Sequence, residues 1–266
     1  MSGTARRGVA LVLVLWMVVI LGAVGAAVAA DTQSTSAVAR NARARLVARY
    51  AAESGIEATV AMIEDSLRLA ADSSVRRAFL NSLEGKRSRD TVVLDDARFA
   101  VGIVDASARL DVNAATEEAL ARFFSRFTNL GEASSAARAI RSWIERDAGS
   151  TPSPDRRITL EANGTYLAVR PLGSIEELRS LGLVDDQVLQ QAAPFLTVDG
   201  DGVINRVTAP ALVRAVAGGE LRDEPSRLVL VARGWENGHP LTHEVQAVFA
   251  ITGDRLVLAH WRERAL

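Results

Sequence analysis

Three histidines, two pairs of adjacent acidic residues and one aspartate–glycine repeat are where this chain could do chemistry. His239, His243 and His260 fall in a turn and two β-rich runs. They lack the helical spacing of a two-histidine metal site, which points to ordinary surface or half-buried roles. Glu176-Glu177 and Asp185-Asp186 stand at the starts of short helical patterns. Carboxylates are favoured there by the helix dipole, so they read as helix-start charges rather than an acid–base dyad. Asp199-Gly200-Asp201-Gly202 has the alternating aspartates that begin many calcium loops, since hard oxygen ligands suit a hard cation. Counting from Asp199, however, the position that needs a bidentate glutamate is Pro210, so a plain turn is the stronger reading. The chain has no cysteine, which removes disulfides, thiolate nucleophiles and Cys-ligated zinc. No GxSxG, Walker A or GxGxxG sequence stands in a strand-to-helix context. An enzyme is the least supported class, and the sequence gives no small-molecule substrate.

The organising feature is instead the start of the chain. Arg6-Arg7-Gly8 runs straight into Val9-Ala10-Leu11-Val12-Leu13-Val14-Leu15-Trp16, and no charge follows until Asp31. An uncharged helix of about 22 residues spans about 33 Å, enough for a hydrocarbon core of about 30 Å. Basic residues before it and Asp31-Thr32-Gln33-Ser34 after it orient it with a short cytoplasmic tail and the body outside, in a membrane crossed once. A cleaved secretory signal ending at Val28-Ala29-Ala30 is the competing reading, but the apolar run is longer than such signals need. The whole chain is 48% hydrophobic and 24% charged with a net charge of −1. That composition suits a globular protein rather than a disordered chain or a wholesale nucleic-acid binder.

Beyond Ala30 the helical pattern continues without proline to about Leu69. Apolar residues recur at Val38, Ala42, Leu46, Tyr50, Ile56, Val60, Ile63 and Leu67, close to one face of a 3.6-residue period. Val60 and Ile63 are expected in a core, while Val38 and Leu46, with nothing in this chain to cover them, are expected to meet partner helices.

Two β-rich runs at 91–94 and 99–104 are separated by a turn at Asp95-Asp96-Ala97-Arg98, and three more strands follow Pro225. Between them lie short helical patterns, a Ser174/Glu177 capping box, a breaker-rich loop over 148–155, and a weak repeat around Asn113 and Asn205. The expected fold is α+β: a long N-terminal helix, transmembrane then amphipathic, packed on an antiparallel sheet with a mostly helical domain inserted between strands. The segments are 1–8 leader, 9–30 membrane half and 31–80 outer half of the helix, 81–112 first strands, 113–223 helical insertion and 224–266 closing strands.

A basic leader ending in Gly8, an apolar helix starting at Val9 and an amphipathic continuation resemble the type IV pilin and type II secretion pseudopilin class. Most pilins carry glutamate at the fifth mature position, which here is Leu13. That departure, with Leu110-Asp111-Val112-Asn113, Trp143-Ile144-Glu145, Ser174-Ile175-Glu176-Glu177-Leu178, Pro194-Phe195-Leu196, Val203-Ile204-Asn205 and Trp261-Arg262-Glu263 in family order, resembles the minor pseudopilin K family. The resemblance implies cutting by prepilin peptidase between Gly8 and Val9, methylation of the new N-terminus, and assembly with other minor pseudopilins and the major pseudopilin at the tip of a periplasmic pseudopilus. It makes Gly8 and Val9 the processing site and Leu13, Val38 and Leu46 the partner-facing residues. It implies no cofactor but leaves calcium open, with Asp199 and Asp201 as candidates and no ligand transferred residue by residue.

The insertion also resembles helix-hairpin-helix modules, which hold DNA phosphates on backbone amides. Its hairpin at Leu181-Gly182-Leu183-Val184-Asp185-Asp186 has two acids where phosphate would lie, so no nucleic acid is expected. A periplasmic binding protein and a DNA-uptake component remain the alternatives. Cleavage at Gly8 is checked by mass spectrometry of the mature N-terminus, which should begin with N-methylated Val9. Gly8→Trp should leave uncut precursor in the membrane, and a mature chain starting at Ala30 or Asp31 would contradict the pseudopilin reading.

Overall fold

The structure, a computed structural model, describes residues 4–86, 92–145, 171–216 and 218–265. Helix α1 (Thr4–Leu69) is 66 residues long, which at helical rise is about 100 Å. It runs unbroken through Gly8 and Val9 and through both halves expected from the sequence. After Leu69 the chain turns, and Asp72 caps a separate short helix α2 (Ser73–Asn81) by accepting the amides of Ser74 and Val75. The rod is therefore shorter than the 31–80 segment.

Strands β1 (Val92–Leu94) and β2 (Ala97–Asp105) form a hairpin whose turn is only Asp95-Asp96, with Asp95 at φ 52°. The closing strands are β7 (Arg227–Glu236), β8 (Thr242–Thr252) and β9 (Arg255–Ala265). The five make one sheet in the order β1-β2-β7-β8-β9, antiparallel at every pairing. Ala97 pairs with Glu236 and Asp105 with Leu228, so β2 and β7 are neighbours although more than a hundred residues separate them. That adjacency makes the intervening chain an insertion.

The insertion contains β3 (Leu110–Asp111), α3 (Glu117–Phe124), α4 (Leu130–Glu145), α5 (Glu176–Ser180), α6 (Asp186–Ala192), β4 (Leu196–Thr197), β5 (Ile204–Asn205), α7 (Ala211–Val216) and β6 (Leu221–Arg222). Two tiny parallel pairs, β3 with β4 and β5 with β6, hold the helices together. Two-residue bridges are too short to leave a sequence pattern. The breaker-rich loop over 148–155 lies outside the described residues. The Ser174/Glu177 capping box is not made: Ile175 occupies the N-cap of α5 without a side-chain hydrogen bond, and Ser174 contributes only its backbone carbonyl to the Glu177 amide.

The repeat aligns differently from the two asparagines. Asp111 Oδ1 accepts the Asn113 amide and the Asp111 carbonyl accepts that of Ala115. Asn205 Oδ1 accepts the Val207 amide and its carbonyl that of Ala209. Each is a strand-end Asx residue turning the chain toward a helix, so Asn205 matches Asp111 rather than Asn113.

Two cores result. Phe123, Phe124, Leu120, Ile140 and Leu178 centre the insertion, with Phe123 and Phe124 edge to face at 5.2 Å. The other lies between α1 and one face of the sheet, built from Ile56, Ile63, Leu67, Phe99, Val101, Leu228, Leu230 and Phe249.

Candidate functional site: an assembly surface on the N-terminal helix

From Val12 on, α1 begins with a stretch apolar and long enough to cross a membrane, and that stretch is not buried by the rest of the described chain. Leu13 lies in that stretch with its side chain exposed. Past the charged turns at Asp31 and Arg40 the helix meets the sheet, and here the single stripe expected from the sequence divides in two. Ala44, Ala48, Ala51, Ala52, Ile56, Ile63 and Leu67 are buried, with Val60 packed at their margin. Val38, Leu46 and Tyr50 are 68%, 54% and 62% exposed. The expected division between a core end and an uncovered end holds for Val60 and Ile63 and for Val38 and Leu46, but Tyr50 joins the uncovered set.

The division has a steric cause. Gly234 in β7 faces α1 so closely that a Cβ there would lie 2.2 Å from the Ala48 carbonyl oxygen and 2.9 Å from the Ala51 Cβ. Across the seam, a Cβ on Gly55 would lie 2.8 Å from the Phe99 ring. Only an alanine and glycine face of α1 fits at that distance, so the bulkier Leu46 and Tyr50 turn outward. The missed signal was in the sequence as alanines spaced by four, three and one at 44, 48, 51 and 52 and a glycine inside a β-rich run.

Charged residues rim the contact. Arg43 lies 3.5 Å from both Asp96 and Glu236, and Arg49 bridges Glu53 at 2.8 Å and Glu263 at 3.1 Å. Glu263 also accepts the Trp261 indole N–H at 2.9 Å and faces His243 at 3.4 Å. The indole bond first, and the Arg49 and His243 side chains with it, hold the Glu263 carboxyl below its ordinary range. Such exposed pairs are screened by water and contribute little to stability, so they orient the rod more than they hold it.

Of the sequence's chemical candidates, Asp199 and Asp201 sit along the seam between sheet and insertion, beside Asp105. Asp105, fully buried, accepts the Ser107 amide on one carboxylate oxygen, and the Asn205 amide and Thr208 hydroxyl on the other. Asp199 pairs with Arg262 at 2.6 Å and accepts from Gln246 at 2.9 Å, while Asp201 accepts from Ser226 at 2.9 Å. The two aspartates thus carry protein partners within a turn joining β4 to β5. His239 touches Asn41, His243 touches Glu263, and His260 is exposed; the three are not brought together. No group of three or more metal-binding side chains converges among the described residues. In the hairpin, Gly182 takes φ 63° and Asp185 caps α6 on the Gln187 and Val188 amides, so a carboxylate of the chain itself fills the place expected for phosphate. Arg179 is held by Asp186 at 2.9 Å.

No protein-family model matches the sequence, and no curated protein does. A solved structure does match in shape. The crystal structure of the GspK-GspI-GspJ complex from the enterotoxigenic Escherichia coli type 2 secretion system contains a chain similar to this one, with a TM-score of 0.51 and 15% identity over 75% of this chain and 96% of that chain. The two share a fold. Over that share of the chain the fold is therefore one that a chain of that complex also adopts.

One buried group gives the domain a pH dependence. Burial pushes the Asp111 carboxyl up to about 6 from 3.8, against the opposing amide bonds of Asn113 and Ala114. The native state therefore keeps a proton that the unfolded chain releases, and stability falls as pH rises from about 4 to about 6, by on the order of 2–3 kcal/mol. Asp111→Asn retains an acceptor for the Asn113 amide without the charge. Thermal unfolding of the chain in detergent should show the variant more stable than the parent at pH 7 and level with it at pH 4; destabilisation at both would contradict this.

Proposed function

We propose that the chain is a minor pseudopilin: a non-enzymatic structural subunit at the tip of the type II secretion pseudopilus, taking part in protein export across the outer membrane. On this reading prepilin peptidase cuts between Gly8 and Val9, the helix from Val9 anchors the chain in the inner membrane, and the sheet and insertion stand in the periplasm. The observation that carries it is the pairing of a shared fold with a subunit of the GspK-GspI-GspJ complex and a rod whose Val38, Leu46 and Tyr50 nothing in the described chain covers. Exposed apolar surface of that kind marks an interface, and the solved relative is itself part of a three-protein assembly.

Two features support the tip. A glutamate buried in lipid is costly unless a neighbour pairs with it, and Leu13 carries none, as suits a subunit with nothing further out. The insertion departs from the sheet at Asp105 and returns at Arg227, adding its own core to one end of the strands and obstructing a further subunit there.

Leu46→Asp should abolish co-purification with other pseudopilins while leaving the melting temperature nearly unchanged. Ile63→Asp, which places an unpaired charge in the core, should unfold the domain. Equal effects of the two on stability, or undisturbed assembly in both, would contradict the reading.

A further inference from the structure

The sheet has two very unequal edges. One ends in the three residues of β1, with Gly85 and Lys86 continuing it by hydrogen bonds to Ile103. The other is β9, eleven residues long and without proline. An edge strand turns every second N–H and C=O outward, and natural sheets usually shorten, cover or charge such an edge. Here cover is given at one place only among the described residues: Glu64 of α1 accepts the outward amide of Leu256 at 2.9 Å. Leu258, two residues on and before the register shift opposite Val248 and Phe249, turns its amide the same way. Its side chain is 51% exposed and that of Trp261 37%.

This edge is continuous with the uncovered flank of the rod. Glu263 of β9 holds Arg49 of α1 and the Trp261 indole at once. Arg49, Tyr50 and Glu53 follow Leu46 by three, four and seven residues and share one side of α1 with it. Leu46 and Tyr50 on the helix and Trp261 and Leu258 on the strand are thus exposed apolar residues on two elements tied by that ion pair, next to open backbone.

We infer that β9 takes up an extended strand from a different pseudopilin, so that partner and chain are joined by sheet extension as well as by rod packing. The inference rests on the reading of the chain as an assembly subunit anchored through α1. Backbone geometry identifies the occupant as a strand, and orientation identifies it as another protein. Two β9 edges pair antiparallel about a two-fold axis perpendicular to the sheet. Because α1 lies on the face of that sheet, the same rotation would point the two rods in opposite directions, which one membrane does not allow. A second copy's opposite edge, β1, offers three residues against eleven. Charge narrows the occupant further: Arg262 is answered by Asp199 and Glu263 by Arg49, while Arg255 and Arg264 have no carboxylate partner among the described residues. The incoming strand carries apolar side chains toward Leu258 and Trp261 and acids toward those arginines.

Hydrogen–deuterium exchange of the full chain in detergent, alone and mixed with the other pseudopilins of its secretion system, tests this. Amides from Leu258 to Arg264 should exchange at least tenfold more slowly in the complex. Leu258→Pro removes the outward N–H in a place where edge strands tolerate proline, and Leu258→Lys puts a charge where the incoming strand would bring apolar side chains. Each should weaken co-assembly at least tenfold with an unchanged melting temperature. A complex that forms with β9 exchanging as in the free chain overturns the inference alone. Concentration-dependent protection of β9 without partners overturns it in favour of a second copy. Failure to bind any pseudopilin overturns it together with the proposed function.

Discussion

Gly234 lets the backbone of β7 meet the backbone of α1, and the rest of the periplasmic architecture proposed here follows from that approach. A side chain at 234 would collide with the Ala48 carbonyl, so the helix can come down on the sheet only along Ala44, Ala48, Ala51 and Ala52. Once it has done so, Ile56, Ile63 and Leu67 reach the sheet core at the far end, each contributing about 1.5–3 kcal/mol by burial. The same approach dictates what cannot be buried. With the small face inward, Leu46 and Tyr50 have no place against the sheet, and an apolar flank is left for other chains.

A second constraint joins the insertion to this frame. Its hydrophobic core is separate from that under α1, and the seam is mainly polar: Asp105 with Asn205 and Thr208, Ser107 with Ser226, Asp199 with Arg262 and Gln246. Asn205 also donates to Asn81 at the end of α2. Buried polar groups must be matched almost completely to be tolerated, which fixes orientation more strictly than apolar contact does. The aspartates that look like calcium ligands in the sequence work in the structure as parts of this matching.

Much of the fold was legible because its elements are long. The charge-free run after Arg7, the helical period to Leu69 and the β-rich runs on either side of a helical middle give the class and the insertion. What stayed hidden was small or dependent on distant partners. Two-residue bridges such as β3 and β4 have no periodicity, and Ile175 rather than Ser174 takes the N-cap of α5 although the Ser-x-x-Glu spacing points to Ser174. For the candidate surface, Val38 and Leu46 were legible as unclaimed apolar residues. The alanine stripe was not, because alanine scores weakly in any apolar pattern and gains meaning only opposite Gly234, nearly two hundred residues away. Trp261 and Leu258 escaped for a related reason: that β9 is an edge is a property of sheet order.

The absence of native cysteine makes the central claim, that α1 has one face for its own sheet and another for its neighbours, directly measurable by thiol labelling. Single variants Leu46→Cys and Ala48→Cys, two residues apart on the helix, are treated with a membrane-impermeant maleimide in the purified chain and in cells assembling the secretion system. Leu46→Cys should label rapidly in the isolated chain and be protected on assembly, and Ala48→Cys should not label in either state. Labelling of Leu46→Cys to the same extent in both states, or ready labelling of Ala48→Cys in the folded chain, would contradict that claim.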